Sequence, residues 1–235
     1  MLVFFFIARI FDGVDSALLA DANGNYFSYV LIGMVSAYLL NSAMNAMTND
    51  IRSGQTLGTL ETILASPMRI IHYLIASGLY SFFTAITRIV GLLIIAGFFL
   101  GVDFSNANLL AAFTIIMTTM LCFSGLGVLS AAFILVFKKG NPVSLIIQSS
   151  FTLLGGVIFP ISVLPQGLHG IAQWIPMTYV TSGLREALLQ GAGFAELQSR
   201  FIALGTTTIL VFPIALMTFS WALSRAKHHG TLGQH

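Results

Sequence analysis

Long apolar runs alternate with short polar stretches along this chain, and the runs have the length that a bilayer dictates. A helix rises about 1.5 Å per residue, so about 20 apolar residues cross a hydrocarbon core of about 30 Å. Runs at 26–47, 73–101, 109–137, 143–163 and 201–223 meet that requirement, while 1–11 is apolar but reaches only about half way. The pattern predicts an all-α polytopic membrane protein with six segments, the first a partial span, and no separate soluble domain. The longest polar interruption is Thr48–His72, which holds Asp50, Arg52, Glu61 and Arg69. Within it Leu57, Leu60 and Leu64 follow at spacings of three and four, which predicts a short amphipathic helix over 54–66. Ser66-Pro67 then forms an N-cap and first-turn pair that starts the next helix.

Polar residues inside the runs mark candidate sites. Tyr38, Asn41 and Asn45 recur at three and four residues and form a stripe on one face of the second segment. Such a stripe either bonds to neighbouring helices or lines a substrate path. Arg88 lies thirteen residues before Gly101, which places it in the inner third of its span if Gly101 marks the outer boundary. It either snorkels or pairs, or it meets an anionic substrate. Gly97 and Gly101 form a GxxxG pair, and Ser124, Gly125, Gly127 and Ser130 give the fourth segment a small-residue face. The run at 143–163 carries Gln148 on an otherwise apolar helix and is interrupted by Gly155, Gly156 and Pro160. Beyond it, Pro165 and Pro176 stand at or near the starts of two short helical patterns over 165–190. These are too short or too polar to span alone, so they are expected to dip into the outer leaflet among membrane lipids, with Trp174 and Tyr179 at the headgroup boundary.

Composition sharpens the class. The 235 residues are 57% hydrophobic and only 8% charged, against about 25% charged in soluble domains. A formal charge of +2 gives no reason to expect nucleic acid as a partner. Arg52, Arg69, Lys138, Lys139, Arg225 and Lys227 fall on one side of the layout, with only Arg185 and Arg200 in loops on the other. By the positive-inside rule the first side is cytosolic, which puts both termini in the cytosol. No GxxxxGK[ST] loop, HExxH helix, CxxC or GxSxG elbow is present. The lone Cys122 reads as a small buried hydrophobe. His72 and His169 are separated by the membrane, and the tail histidines 228, 229 and 235 read as solvated, so no metal site is expected.

Two stretches carry a family resemblance. Arg52-Ser53-Gly54, continuing to Gly58-Thr59-Leu60-Glu61 and Ser66-Pro67, is similar to the loop after the second span in permeases of the type-2 ATP-binding-cassette (ABC) exporter family. Gly155-Gly156-Val157-Ile158-Phe159-Pro160, running on through Pro165 and Ile175-Pro176-Met177-Thr178-Tyr179 to Leu184-Arg185, resembles that family's fifth span and outer re-entrant helices. The order and spacing of both agree across nearly the whole chain.

The resemblance implies a membrane subunit that is not itself an enzyme. It would pair with a second permease copy, as a homo- or heterodimer, and with ABC ATPase subunits that carry ATP and Mg. Gly58, Thr59, Leu60, Glu61 and Pro67 would belong to a coupling helix seated in the ATPase. Tyr38, Asn41, Asn45, Arg88 and Gln148 are then candidates for the translocation path. Gly155, Gly156, Pro160, Pro165, Pro176 and Arg185 are candidates for an outer gate. The start departs from the family pattern, which opens with a cytosolic amphipathic helix and a complete first span. The alternative is an ion-coupled secondary transporter, for which only Arg88 offers an ionisable group near the midplane and no inverted repeat is visible.

Overall fold

A computed structural model describes residues 6, 25–58, 70–137 and 142–228. Their regular elements are all helical: α1 Tyr26–Thr56, α2 Ile70–Leu100, α3 Leu109–Phe137, α4 Pro142–Leu154, α5 Gln166–Ala172, α6 Pro176–Leu189 and α7 Gln198–His228, with a single 3₁₀ turn at Ile161–Val163. Among the described residues there is no strand. Four helices are long and apolar enough to cross a membrane, over Tyr26–Gly54, Ala76–Leu100, Leu109–Phe137 and Gln198–Arg225.

The stop signals are the ones that helix chemistry requires. Asn25 caps α1, its Oδ1 accepting the Phe27 and Ser28 amides at 3.0 and 3.4 Å. Gly101 ends α2 in the left-handed region at φ 71°, and the Val102 amide returns to the Ala96 carbonyl. In the loop beyond, the Ser105 hydroxyl and amide hold the Asp103 carboxyl below its ordinary range. That local order is present above the unfolded carboxylate pKa of about 3.9 and is lost as pH falls through the lowered value. Asn108 caps α3 through the Ala111 amide at 3.1 Å.

α1 and α3 form the centre. About 72% of the α1 span window and 67% of the α3 window are buried, against 17% for α2 and 11% for α7, so the last two form the outer faces of the bundle. Phe83, Ile94, Phe98 and Phe99 on α2 and Ile209, Leu210, Ile214 and Met217 on α7 are accordingly exposed. The larger core gathers Tyr29, Ile32, Leu39, Met44, Ile115, Met120, Phe123, Met177 and Leu184. A smaller one, with Met47, Ile51, Val128, Ala131, Leu135 and Phe219, ties the Thr56 end of α1 to α3 and α7. Ser77 of α2 donates to the Asp50 carboxylate of α1, a polar link between these two helices.

Several boundaries differ from the sequence expectation. α1 continues through Thr56 instead of stopping at 47, because the polar residues that follow still propagate a helix and only leave the apolar pattern. The run at 143–163 breaks at its glycines as they suggest, but earlier than Phe159: α4 stops at Leu154 after 13 residues, about 20 Å, and the chain turns at Gly155-Gly156. Arg185 and Arg200 lie on helices α6 and α7 instead of in loops. Gly101 of the GxxxG pair closes a helix and does not pack against one. The small face of α3 serves two neighbours: an added Cβ on Gly127 would lie 2.9 Å from the Ala43 and Met44 carbonyls of α1, and one on Gly125 would lie 3.1 Å from Val211 of α7.

Gly127→Val therefore forces α1 and α3 apart at their closest approach. The expected cost is about 1–3 kcal/mol, the range for overpacking a tight interior, read as a lower unfolding midpoint in detergent. Gly91→Val, where an added Cβ meets nothing within 4 Å, should leave the midpoint unchanged. Equal midpoints for the two variants would show that the α1–α3 approach is not tight.

Candidate functional site

Two polar constellations stand out in this apolar chain. The first follows the stripe on α1. Tyr38, Asn41 and Asn45 are half-buried on one helical face. Arg88 of α2 donates to the Tyr38 hydroxyl at 3.2 Å. From α4, Gln148 donates through Nε2 to Asn45 Oδ1 at 3.1 Å and to Ser144 Oγ at 2.7 Å. The Asn41 amide donates to its own helix at the Ala37 carbonyl, 2.8 Å away. A cavity of about 340 Å³ opens here, lined by Asn41, Gln148, Ser149, Thr152, Leu153 and Ile158. Asn41 and Gln148 line this cavity and Asn45 bonds Gln148, while Tyr38 and Arg88 bond each other further along the α1 stripe and are not among its lining residues. The spacing of three and four was the signal for the stripe. The α4 contribution follows from Gln148 lying one turn beyond Ser144 on the same face.

Arg88 lies on α2, twelve residues before Leu100, and is exposed apart from its bond to Tyr38.

The second constellation surrounds the break after α4. Gly156 adopts φ 70°, a conformation that β-carbons disfavour, and turns the chain so that successive carbonyls point inward. Arg185, on the first two turns past the middle of α6, is 2% exposed. Its Nη2 donates to the Gly156 carbonyl at 2.8 Å, the Tyr29 carbonyl at 3.1 Å and the Val157 carbonyl at 3.4 Å. Its Nε reaches the Tyr29 carbonyl at 3.4 Å, and its guanidinium carbon lies 3.4 Å from the centre of the Tyr29 ring. The Tyr29 hydroxyl donates to the Gly156 carbonyl at 3.0 Å, and Thr181 donates to the Gly155 carbonyl at 2.8 Å. One turn along α1, a Cβ on Gly33 would stand 1.9 Å from the Val157 oxygen, so only glycine permits the approach.

Of the proposed gate residues, Gly155, Gly156 and Arg185 join this knot. Pro160 precedes the 3₁₀ turn, Pro165 precedes α5 and Pro176 is the first residue of α6. The prolines shape the path between the helices and are not part of the bonded centre. Thr178 and Tyr179 fasten α6 to α5 through the Ala172 and Gln173 carbonyls at 2.6 and 2.8 Å. Trp174, between those helices, is 89% exposed. Sequence reasoning missed Tyr29, Gly33 and Thr181. It also missed the Glu186–Arg200 ion pair at 2.6 Å, which joins α6 to α7. The four-residue spacing of Tyr29 and Gly33 on the first turns of a span was the available signal.

Of the coupling residues, Gly58 follows α1 at φ 67° and closes it. Thr59, Leu60, Glu61 and Pro67 lie outside the described residues, as does most of the expected helix over 54–66. Among the described residues no three His, Cys, Asp or Glu side chains gather where they could hold a metal ion.

Four long apolar helices, with α1 and α3 at the centre and a broken helix leading into two short ones, fit a polytopic membrane protein. The sequence matches the ABC-2 type transporter family over residues 1–189, and the chain belongs to that family. It is the membrane permease of an ABC transporter. It is similar to the inner membrane transport permease YadH of Escherichia coli K12, with 25% identity over 216 residues that cover 91% of this chain and 81% of the relative. The inner membrane transport permease YadH of Shigella flexneri matches to the same extent.

The knot has a measurable energy. Arg185→Ala leaves buried carbonyls of Tyr29, Gly156 and Val157 short of donors and should destabilise the protein by about 3 kcal/mol or more, at the upper end for unsatisfied buried groups. Tyr29→Phe removes a single hydrogen bond and should cost about 1 kcal/mol. Unfolding by denaturant in mixed micelles measures both, and a smaller loss for Arg185→Ala than for Tyr29→Phe contradicts the assignment of Arg185 as the centre.

Proposed function

We propose that this chain is the permease subunit of an ABC exporter in the inner membrane, working as a dimer with a second permease copy and driven by separate ATPase subunits. The observation that carries this reading is the ABC-2 family match over residues 1–189. ATP and Mg²⁺ belong on the partner, since this sequence offers no glycine-framed phosphate loop. Both ends of the chain face the cytosol, following the lysines and arginines. Residues 54–66 act as the coupling helix, with Gly58, Thr59 and Leu60 shaping its start, Glu61 anchoring it by charge-assisted bonds and Pro67 beginning the helix that receives the movement. The seam of Tyr38, Asn41, Asn45, Arg88 and Gln148 forms this subunit's share of the cargo path. The break at Gly155-Gly156 and the helices α5 and α6 close its outer end, with Arg185 holding the closed arrangement. An ion-coupled carrier would need a group in the path that gains and loses a proton or ligates a cation. The hydrogen-bonding groups described in this seam are an arginine, a phenol, amides and hydroxyls, a poor set for either task.

Two outcomes are expected. The chain copurifies with a separate P-loop ATPase. Glu61→Lys, or replacement of 54–66 by a flexible polar linker, leaves insertion and dimer formation intact while reducing cargo-dependent ATP hydrolysis by at least about tenfold, the effect of losing one charge-assisted anchor. Unchanged coupling with the linker in place rules the reading out.

A further inference from the structure

We infer that the groove between α2 and α3 seats one alkyl chain of a resident bilayer phospholipid whose head group carries a primary ammonium. The cavity measures about 680 Å³ and runs along α2 from Ile86 to Phe98, about 18 Å at helical rise. On α2, Ile86, Val90, Leu93 and Gly97 follow the helical period, and so do Leu109, Ala112, Phe113 and Ile116 on α3. Two apolar stripes therefore face one another across the cavity. Facing stripes ordinarily close until their side chains interdigitate. Here Val90, Ile94, Phe98, Leu109 and Phe113 line the gap and are still between 49% and 85% exposed. A gap in an apolar contact leaves its lining without partner atoms, and an alkyl chain restores them.

Dimensions and lining select this occupant. A helix 10 Å across and 18 Å long displaces about 1,400 Å³, roughly twice the cavity, so a helix from a second copy would lie across the mouth and leave the floor empty. A single alkyl chain is thin enough to follow the floor of Ile89, Gly97, Ala112 and Ile116. Among the described lining residues Ser105 alone has a polar side chain, and it stands at the loop end. Its amide donates to Asp103 Oδ1 at 2.9 Å, which sets a carboxylate directly beyond the groove's polar end. Asp103 is exposed, and residues 101–108 hold no Lys, Arg or His. Arg185 and Arg200 stand near this end, where the Asn108 amide bonds the Ala187 carbonyl, but they are committed to the knot and to Glu186. The rim thus offers an anion to a cation. A primary ammonium brings positive charge and three N–H donors; a trimethylammonium has the charge without the donors, and a phosphoglycerol head is a net anion. The groove shares no lining residue with the cavity beside the α1 stripe, so the lipid is assigned as resident and not as cargo.

The test places the purified full chain in phosphatidylcholine nanodiscs with a small fraction of one photoactivatable phospholipid, its diazirine-bearing acyl chain kept constant under an ethanolamine, a choline or a glycerol head. Mass spectrometry compares label on 86–98 and 109–116 with label on the exposed α7 face around Ile209, Leu210 and Ile214. The ethanolamine probe should mark the α2–α3 segments at least about fivefold more than α7, the effect of about ten additional carbon contacts. Equal label on both is ordinary bilayer contact and overturns the inference. The ethanolamine probe should also label the groove about two- to fivefold more than the other two, the range of an exposed ion pair. Parity among the three probes, or a preference for glycerol, overturns the head-group assignment. Asp103→Asn should erase that preference while the groove keeps its label. Val90→Trp combined with Ile94→Trp, at two half-exposed lining positions, should fill the groove and bring its label down to the α7 level. Full label in a folded double variant overturns the inference, as does label that is present in a monomer and lost in a dimer, which gives the groove to a second copy. The comparison of segments within the unmodified chain needs no variant, so a folding failure protects nothing.

Discussion

Hydrocarbon offers no hydrogen bonds, so every peptide group at membrane depth must find its partner within the protein. Continuous helices meet that demand by themselves. The turn after Leu154 does not, because Gly155, Gly156 and Val157 leave the helical ladder and present their carbonyls to the interior. The chain answers with donors from distant sequence: Arg185 and Thr181 from α6 and the Tyr29 hydroxyl from α1. The remaining packing follows from that solution. α6 must lie against both α1 and the broken end of α4, and Gly33 must lack a side chain so that the Val157 carbonyl can approach.

Bonds to carbonyls also explain how α5 is held with few apolar contacts of its own. α5 has seven residues, and of these only Ala172 is buried. It is held by its junctions, with Pro165 before it and the bonds from Thr178 and Tyr179 after it. α6, by contrast, buries most of one face and carries the fastening groups. The two elements thus divide the work: one anchors in the core, and the other follows, presenting Trp174 outward.

Much of the architecture was legible because lipid imposes a simple rule on composition. The apolar runs located α1, α2, α3 and α7, and Pro165 and Pro176 located the starts of α5 and α6. The spacing of Tyr38, Asn41 and Asn45 identified the face that Arg88 and Gln148 approach. What could not be read was anything decided by backbone partners. Arg185 looked like a loop cation because hydropathy registers its charge and not the carbonyls of Tyr29 and Gly156, which any residue type could provide. The persistence of α1 to Thr56 was hidden for a related reason: Thr48, Asn49 and Asp50 end an apolar pattern without ending a helix.

The arginine at the knot has one further consequence, which concerns what kind of signal can open it. A guanidinium keeps its proton across the physiological range, and peptide carbonyls and tyrosine and threonine hydroxyls do not titrate there. A fastening made only of these groups is indifferent to the proton gradient across the membrane in which it sits. It yields when α1 and α6 are displaced relative to one another, so work delivered as motion can release it and a change in acidity cannot.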